Sequence, residues 1–375
     1  MTVRIATFNT ENLFRRPRVF NLKDDAARDR ILNDYRKLTG LLEKEDYDVE
    51  TDGKTDRTRI AELILKHVVE EGRETPPPFF INETRGQHTL FDVKRKNRKL
   101  FVEVTADGRS DWTGWVELVR DDLGWPAVHN TARVVAEIDA DILLVVEVED
   151  RTTLRRFNKQ LLGDVMKKAP YPYELVLDGN DPRGIDIGIL SRFPITSVRS
   201  HVFDLDPDRP GKRLFSRDCP EFELDLGGQP VWVLGCHFKS QSGDNPELRM
   251  AQAQRTATIY QAARERSSHI VVAGDFNDSP DSPAVKALLS TGLQDAMSHS
   301  SFPDTELPGT IGTATSRDQK FDYLMFSPEL WELVTDVGVE RRGVWAPKTF
   351  DHFAEVKSQE TQASDHAALF ADLER

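Results

Sequence analysis

From Thr2 onward, short apolar stretches alternate with polar stops, and the spacing inside each stretch separates two kinds of element. Continuous or alternating apolar runs predict strands at residues 3–9, 141–147, 173–177, 185–190, 222–226, 231–236, 270–273 and 321–326. Apolar positions three and four apart predict helices at 128–138, 152–169, 246–266 and 282–291. Strands outnumber helices and no fixed-period repeat occurs. The expected architecture is therefore two packed sheets with helices on their outer faces. Residues from about 16 to 126 break this rhythm. There the pattern predicts helices at 24–42 and 59–70, a turn-rich stretch at 43–56 and a break at Pro76-Pro-Pro78. Two strand-like runs then flank a basic turn at 94–99, and an amphipathic element follows at 112–125. This segment reads as an insertion or cap within a single domain spanning 1–375, joined by no obvious flexible linker.

Composition narrows the class. Hydrophobic residues at 38% and charged residues at 30% leave ample material for a core. No run approaches a membrane span, so no membrane anchor is expected. The first residues enter a strand pattern without a signal-peptide hydrophobic region, which makes the cytoplasm the expected location. The two cysteines, Cys219 and Cys236, read as reduced core thiols. A net charge of −13 argues against broad adhesion to nucleic acid or anionic lipid. It leaves room for a nucleic-acid substrate met by metal ions and a local basic patch. The turn at 94–99 is one such patch, or a solvated hairpin turn.

The chemistry sits where the strands stop. Ile270-Val-Val-Ala-Gly-Asp-Phe-Asn-Asp-Ser-Pro280 ends a buried strand in Asp275 and Asn277, two residues apart and so on one side. A carboxylate and a carboxamide there suit holding a water against a phosphate, although Gly-Asp and Asn-Asp-Ser-Pro are also ordinary turn chemistry. The first strand ends at Asn9 with Glu11 two residues on, which also fits a strand-to-turn cap. Glu147 closes an apolar strand, a place where an unpaired buried carboxylate is very costly. Metal ligation accounts for it best, and a hard oxygen donor points to Mg²⁺ or Mn²⁺. Arg183 lies in a Gly/Pro turn at the head of a strand, placed either to clamp a phosphate or simply at the surface. His237 follows a buried strand, with Lys239 two residues on, as a phosphoryl contact or a packing residue. Asp322 and the Ser364-Asp365-His366 segment place an acid, or an acid and an imidazole, at the ends of two more strands. An Asp–His hydrogen bond would fix the ring's tautomer and raise its basicity.

The ordered set Asn9, Glu147, His237, Gly274-Asp275-Phe276-Asn277, Asp322 and Ser364-Asp365-His366 resembles the endonuclease/exonuclease/phosphatase superfamily. The resemblance covers residues 1–15 and about 127–375, and the segments at Asn9 and Asn180 are closest to a bacterial branch. It implies an α+β fold, a four-layered α/β/β/α sandwich, and hydrolysis of a phosphoric ester with a divalent metal, Mg²⁺ or Mn²⁺. It implies that Glu147 ligates the metal, with Asn9, Glu11 and Asp365 around it. Asp275 would position or deprotonate the attacking water, and Asn277 would orient the phosphate. His366, held by Asp322, would contact the phosphate, and His237 would stabilise a phosphoryl oxygen or assist the leaving group. Arg183 and Lys239 are the expected substrate contacts. One departure stands out: members commonly separate the positions of Asn9 and Glu147 by a few tens of residues, and here the insertion intervenes.

The leading expectation is a nuclease acting on DNA or RNA. The alternatives are the same chemistry on an inositol phosphate, a lipid headgroup or another small phosphoester, and a non-catalytic binding protein on the same scaffold.

Overall fold

The computed structural model describes residues 2–13, 17–22, 24–69, 77–84, 88–97, 99–120, 126–181, 183–241, 245–303, 309–312, 319–346 and 349–374. The chain forms two compact units, one of residues 1–14 with 123–375 and one of residues 15–122.

The larger unit is built from two six-stranded sheets. Its strands are β1 (Thr2–Leu13), β2 (Ile142–Val148), β3 (Tyr173–Leu177), β4 (Asp186–Ser191), β5 (Ile195–Arg199) and β6 (Glu221–Asp225). They continue as β7 (Pro230–His237), β8 (Ile270–Asp275), β9 (Gln294–Asp295), β10 (Asp322–Phe326), β11 (Val334–Glu340) and β12 (Ala368–Glu374). One sheet runs β11-β12-β1-β2-β4-β3 and the other β5-β6-β7-β8-β10-β9. Both are mixed, with β1 parallel to β2 and β7 parallel to β8 amid antiparallel neighbours.

Alternation within the strands explains the layering. Ile5, Ile142, Leu144, Val146, Val233, Val271 and Ala273 form the core between the sheets. The residues between them, such as Phe8, Leu143 and Val145, pack outward with helix α1 (Pro126–Ile138) and α2 (Arg151–Arg156). On the other sheet Leu234, Cys236, Ile270 and Val272 pack with α3 (Pro246–Arg264) and α4 (Pro283–Leu289). The central strands are buried on both faces, so they read as unbroken apolar runs. The result is the α/β/β/α sandwich. The sequence pattern did not mark β5 and β11, which are sheet-edge strands whose half-buried residues carry a weaker signal.

The helix expected at 152–169 is α-helical only to Arg156 and continues as a π-helix, Phe157–Val165. The wider turn buries Phe157 and Leu162 together and seats Asn158, whose amide bonds both the N–H and the carbonyl of Tyr171 at 2.8 Å. Asp150 caps α2 by accepting from the Thr153 backbone N–H at 2.6 Å.

The smaller unit has its own core of Leu38, Tyr47, Ile60, Phe79, Val102 and Trp112. Its helices are Asp25–Leu42, capped by Asp24, and Asp56–Ile64, capped by Thr55. The second continues as a π-helix, Leu65–Val69; residue 70, the end of the expected helix, lies outside the described residues. Phe91–Lys96 and Lys99–Val104 form the hairpin expected around the basic turn, of which Arg98 is not among the described residues. The amphipathic element expected at 112–125 is instead strand Gly114–Leu118, paired with Phe79–Glu83. Its buried and exposed residues alternate at period two over Gly114, Trp115 and Val116. Residues 121–125 of that element, and Pro76 of the proline break, lie outside the described residues.

Candidate active site

Strand register carries three candidate side chains to one rim. His237 ends β7 opposite Asp275 of β8, and Asp275 in turn pairs with Asp322 at the start of β10. On the facing sheet Asn9 pairs with Val146, one residue before Glu147. Asn9 links the two sheets: its Nδ2 donates to Glu147 Oε1 at 3.3 Å and to Asp275 Oδ2 at 3.1 Å. His237 Nε2 lies 3.7 Å from the same two oxygens. Asp275 Oδ1 accepts the Asn277 backbone N–H at 2.7 Å, and Asn277 Nδ2 reaches Asp275 Oδ2 at 3.1 Å. His366 Nδ1 donates to Asp322 Oδ2 at 2.7 Å and directs Nε2 to 3.8 Å from both Asp275 Oδ2 and Asp365 Oδ1. Glu11 Oε2 accepts the Asp365 backbone N–H at 2.9 Å.

Environment drives the two imidazoles apart. Burial opposes charge on His366, yet the carboxylates of Asp322 and Asp275 hold its pKa well above the usual histidine range. His237 is pushed well below that range by burial, then by Arg217 and His366, and its Nδ1 has no hydrogen-bond partner among the described residues. Asp275 is raised to about 7, chiefly by burial. The rim thus holds a cationic ring, a neutral ring and a carboxyl able to exchange a proton near neutrality. Such divergent environments allow acid and base roles to separate.

The backbone is also unusual here. Glu11, Glu147 and Asn277 adopt left-handed φ values of 43°, 65° and 52°, sparsely populated by residues with side chains. Gly274 has φ +130°, and a Cβ there would stand 1.9 Å from the Cys236 carbonyl oxygen. Only glycine lets β7 and β8 approach closely enough to set His237 beside Asp275.

Two expected substrate contacts stand differently. The guanidinium of Arg183 is exposed and bonded to Asp181, its Nη2 at 2.7 Å. Lys239 turns its ammonium to the carbonyl and hydroxyl of Ser240 at 3.4 and 3.3 Å. The sequence reading missed Arg217, a buried guanidinium whose Nε lies 3.2 Å from Asp181 Oδ2 and whose Nη1 donates to the Phe238 carbonyl at 3.4 Å. Its charge acts on Glu147, Asp275 and His237. Arg217 precedes Asp218 in irregular chain with no periodic signal, so only the Arg-Asp-Cys-Pro stretch before β6 hinted at it. Cys219 and Cys236 are free and buried, with sulfurs 4.0 Å apart.

The donor set fits a hard divalent cation. Burial raises the Glu147 pKa, and Asp365 adds to the rise. Glu11 is raised by burial, then by Asp365 and Glu147. Mutual repulsion among these carboxylates is what a small dication relieves, and oxygen donors suit a hard cation. Asp275, Asp322 and His366 also bring ligand atoms within 4.8 Å of one another. Among the described residues no helix is long and apolar enough to cross a membrane.

The model of the Endonuclease/Exonuclease/phosphatase family matches residues 120–366. Among curated proteins, none matches the chain. Solved structures of similar fold include an endonuclease/exonuclease/phosphatase family protein from Bacteroides thetaiotaomicron, 19% identical, covering 67% of this chain and 87% of its own, with a TM-score of 0.48. The catalytic domain of human Nocturnin is 16% identical, over 67% of this chain and 87% of that one, with a TM-score of 0.46. Truncated TDP2 from Caenorhabditis elegans is 19% identical, over 66% and 90%, with a TM-score of 0.46.

Proposed function

Because the chain belongs to the endonuclease/exonuclease/phosphatase family, and so among phosphoester hydrolases, we propose that it is a nuclease that cleaves nucleic-acid phosphodiesters with the help of Mg²⁺ or Mn²⁺. The observation that carries this reading is the pair of imidazoles, one cationic and one neutral, on either side of Asp275. Asp275, with a pKa of about 7, takes the proton of the attacking water near neutral pH. Asn9 and Asn277 fix that carboxylate by donating to its Oδ2, leaving its orientation little freedom. His366 offers its Nε2–H to a phosphoryl oxygen as negative charge develops, and Asp322 keeps the ring protonated. His237 and the buried Arg217 supply further contacts to the phosphoryl group or the departing oxygen. A divalent cation held by Glu147, with Asn9, Glu11 and Asp365 around it, would supply Lewis-acid neutralisation of the phosphoryl oxygens.

The test is cleavage of plasmid and labelled oligonucleotides across a titration of Mg²⁺ and Mn²⁺, beside a panel of small phosphomonoesters. Metal-dependent cutting of polynucleotide with the monoesters untouched is expected. Hydrolysis of the small esters alone would replace the nuclease reading with a small-molecule phosphatase. Full activity in Asp275→Ala or His366→Ala would overturn the site assignment.

A further inference from the structure

The smaller unit contains a groove of about 610 Å³ between its two helices, and its lining is strongly biased in charge. Arg36 and Lys37 project from helix Asp25–Leu42, Lys44 follows just past its end, and Arg59 and Lys66 come from the second helix and its continuation. Among the described residues two acids, Asp34 and Glu62, line it with them. The cations are held in a frame. At one end, buried Asp56 binds both Lys44 at 2.7 Å and Arg59 at 3.0 Å. At the other, Asp34 lies 2.8 Å from Lys66 and 4.0 Å from Lys37.

Lys37 and Lys44, like Arg59 and Lys66, are seven residues apart. The two cationic ends are separate, one gathered on Asp56 and the other on Asp34. Between them the floor is apolar, formed by Leu41 and Leu63, and it stays open because Gly40 has no side chain and nothing lies within 4 Å of where a Cβ would be. Carboxylates fix the cations in place, so less side-chain freedom is lost on binding an anion than for freely moving lysines. Two separate positive ends on either side of an apolar floor suit a polyanion whose charges recur along a chain, with its sugars or bases against the floor. An isolated small anion would fill one end only.

We propose that this groove binds the sugar–phosphate backbone of a nucleic-acid strand. The inference rests on the nuclease reading for its choice of polyanion, and names a second place where the substrate is held. It also accounts for how an acidic protein, with net charge −13, would take up a polyanion.

Binding of a short fluorescein-labelled single strand is measured by anisotropy over a salt series, with the full chain kept in EDTA so that no cleavage intervenes. Lys37→Gln/Lys44→Gln is the informative variant. Both side chains are substantially exposed, and Arg59 still holds Asp56. Circular dichroism and thermal melting of the variant check that it folds. Two lost phosphate contacts should flatten the log K against log salt slope by about 1.4 and weaken binding about tenfold near physiological salt. Hydrolysis of bis(p-nitrophenyl) phosphate, which needs only the catalytic rim, should be unchanged in the metal-loaded variant. Equal affinity and equal slope in a folded variant would refute the proposal, as would preferential binding of polyglutamate, which would make the groove a protein-docking surface. Groove-dependent binding of a strand that the metal-loaded protein never cuts would uphold this inference and sink the nuclease reading instead.

Discussion

Asp322→Asn isolates the electrostatic part of the candidate mechanism. Asp322 is fully buried, and its Oδ2 accepts the only hydrogen bond described for His366 Nδ1, at 2.7 Å. Asparagine keeps the shape and removes the charge. A hydrogen bond to an ionised partner contributes about 1.5–3 kcal/mol and a neutral one about 0.5–1.5, so the imidazolium loses roughly 1–2 kcal/mol of support. With burial already opposing the charge, the ring then gives up its proton at a lower pH than in the parent. Loss of one preorganised charged donor to a developing oxyanion lowers kcat by about 10²–10³. The pH profile carries the sharper signature. In the parent, activity should rise with pH as Asp275 deprotonates near 7, then hold while His366 stays protonated. In the variant the alkaline limb should move to lower pH, narrowing and lowering the plateau. Initial rates on an oligonucleotide and on bis(p-nitrophenyl) phosphate, at saturating Mg²⁺ from pH 5 to 10, make the comparison. A variant within about threefold of the parent in kcat/KM, with its alkaline limb unmoved, would show that the Asp322–His366 pair does not serve in charge stabilisation.

Two further outcomes concern the scaffold. Gly274→Ala puts a Cβ 1.9 Å from the Cys236 carbonyl at a φ of +130°, so urea unfolding should show a loss of about 3 kcal/mol or more, with activity falling because His237 and Asp275 sit on the displaced strands; parental stability would mean that β7 and β8 tolerate separation. Asp186, buried at the head of β4, has its pKa raised from 3.8 to about 7, mainly by burial and also by Asp178. The native state keeps a proton that the unfolded chain has released, so stability should fall as pH rises from about 4 to about 7 and then level off. Asp186→Asn should flatten that decline and melt higher than the parent above pH 7, which a Tm series from pH 4 to 8 will decide.

The strand ends were legible in the sequence for a local reason. A buried strand must be apolar until it reaches solvent or a ligand, so Glu147, Asp275 and His237 announced themselves as polar stops after unbroken apolar runs. The same rule located the central strands and the family's set of residues. Edge strands β5 and β11 escaped it because half-exposed residues dilute the pattern. Arg217 escaped it because its role comes from Asp181 and from carboxylates on other strands, none near it in sequence. Arg183, by contrast, looked available in sequence, yet Asp181 two residues away holds it. Which imidazole is charged was equally beyond local reading. His237 ends β7 and His366 stands just before β12, and both have carboxylate oxygens close by, at 3.7 and 2.7 Å. The folded arrangement sets Asp322 against His366 to make it a cation, while burial and the positive charges of Arg217 and His366 keep His237 neutral. The chain by itself determined which side chains reach the rim, since alternation and burial are properties of each strand alone. Their partners, protonation and strained backbone were decided by the folded arrangement, because Coulomb energies and close backbone approach depend on neighbours far apart in sequence.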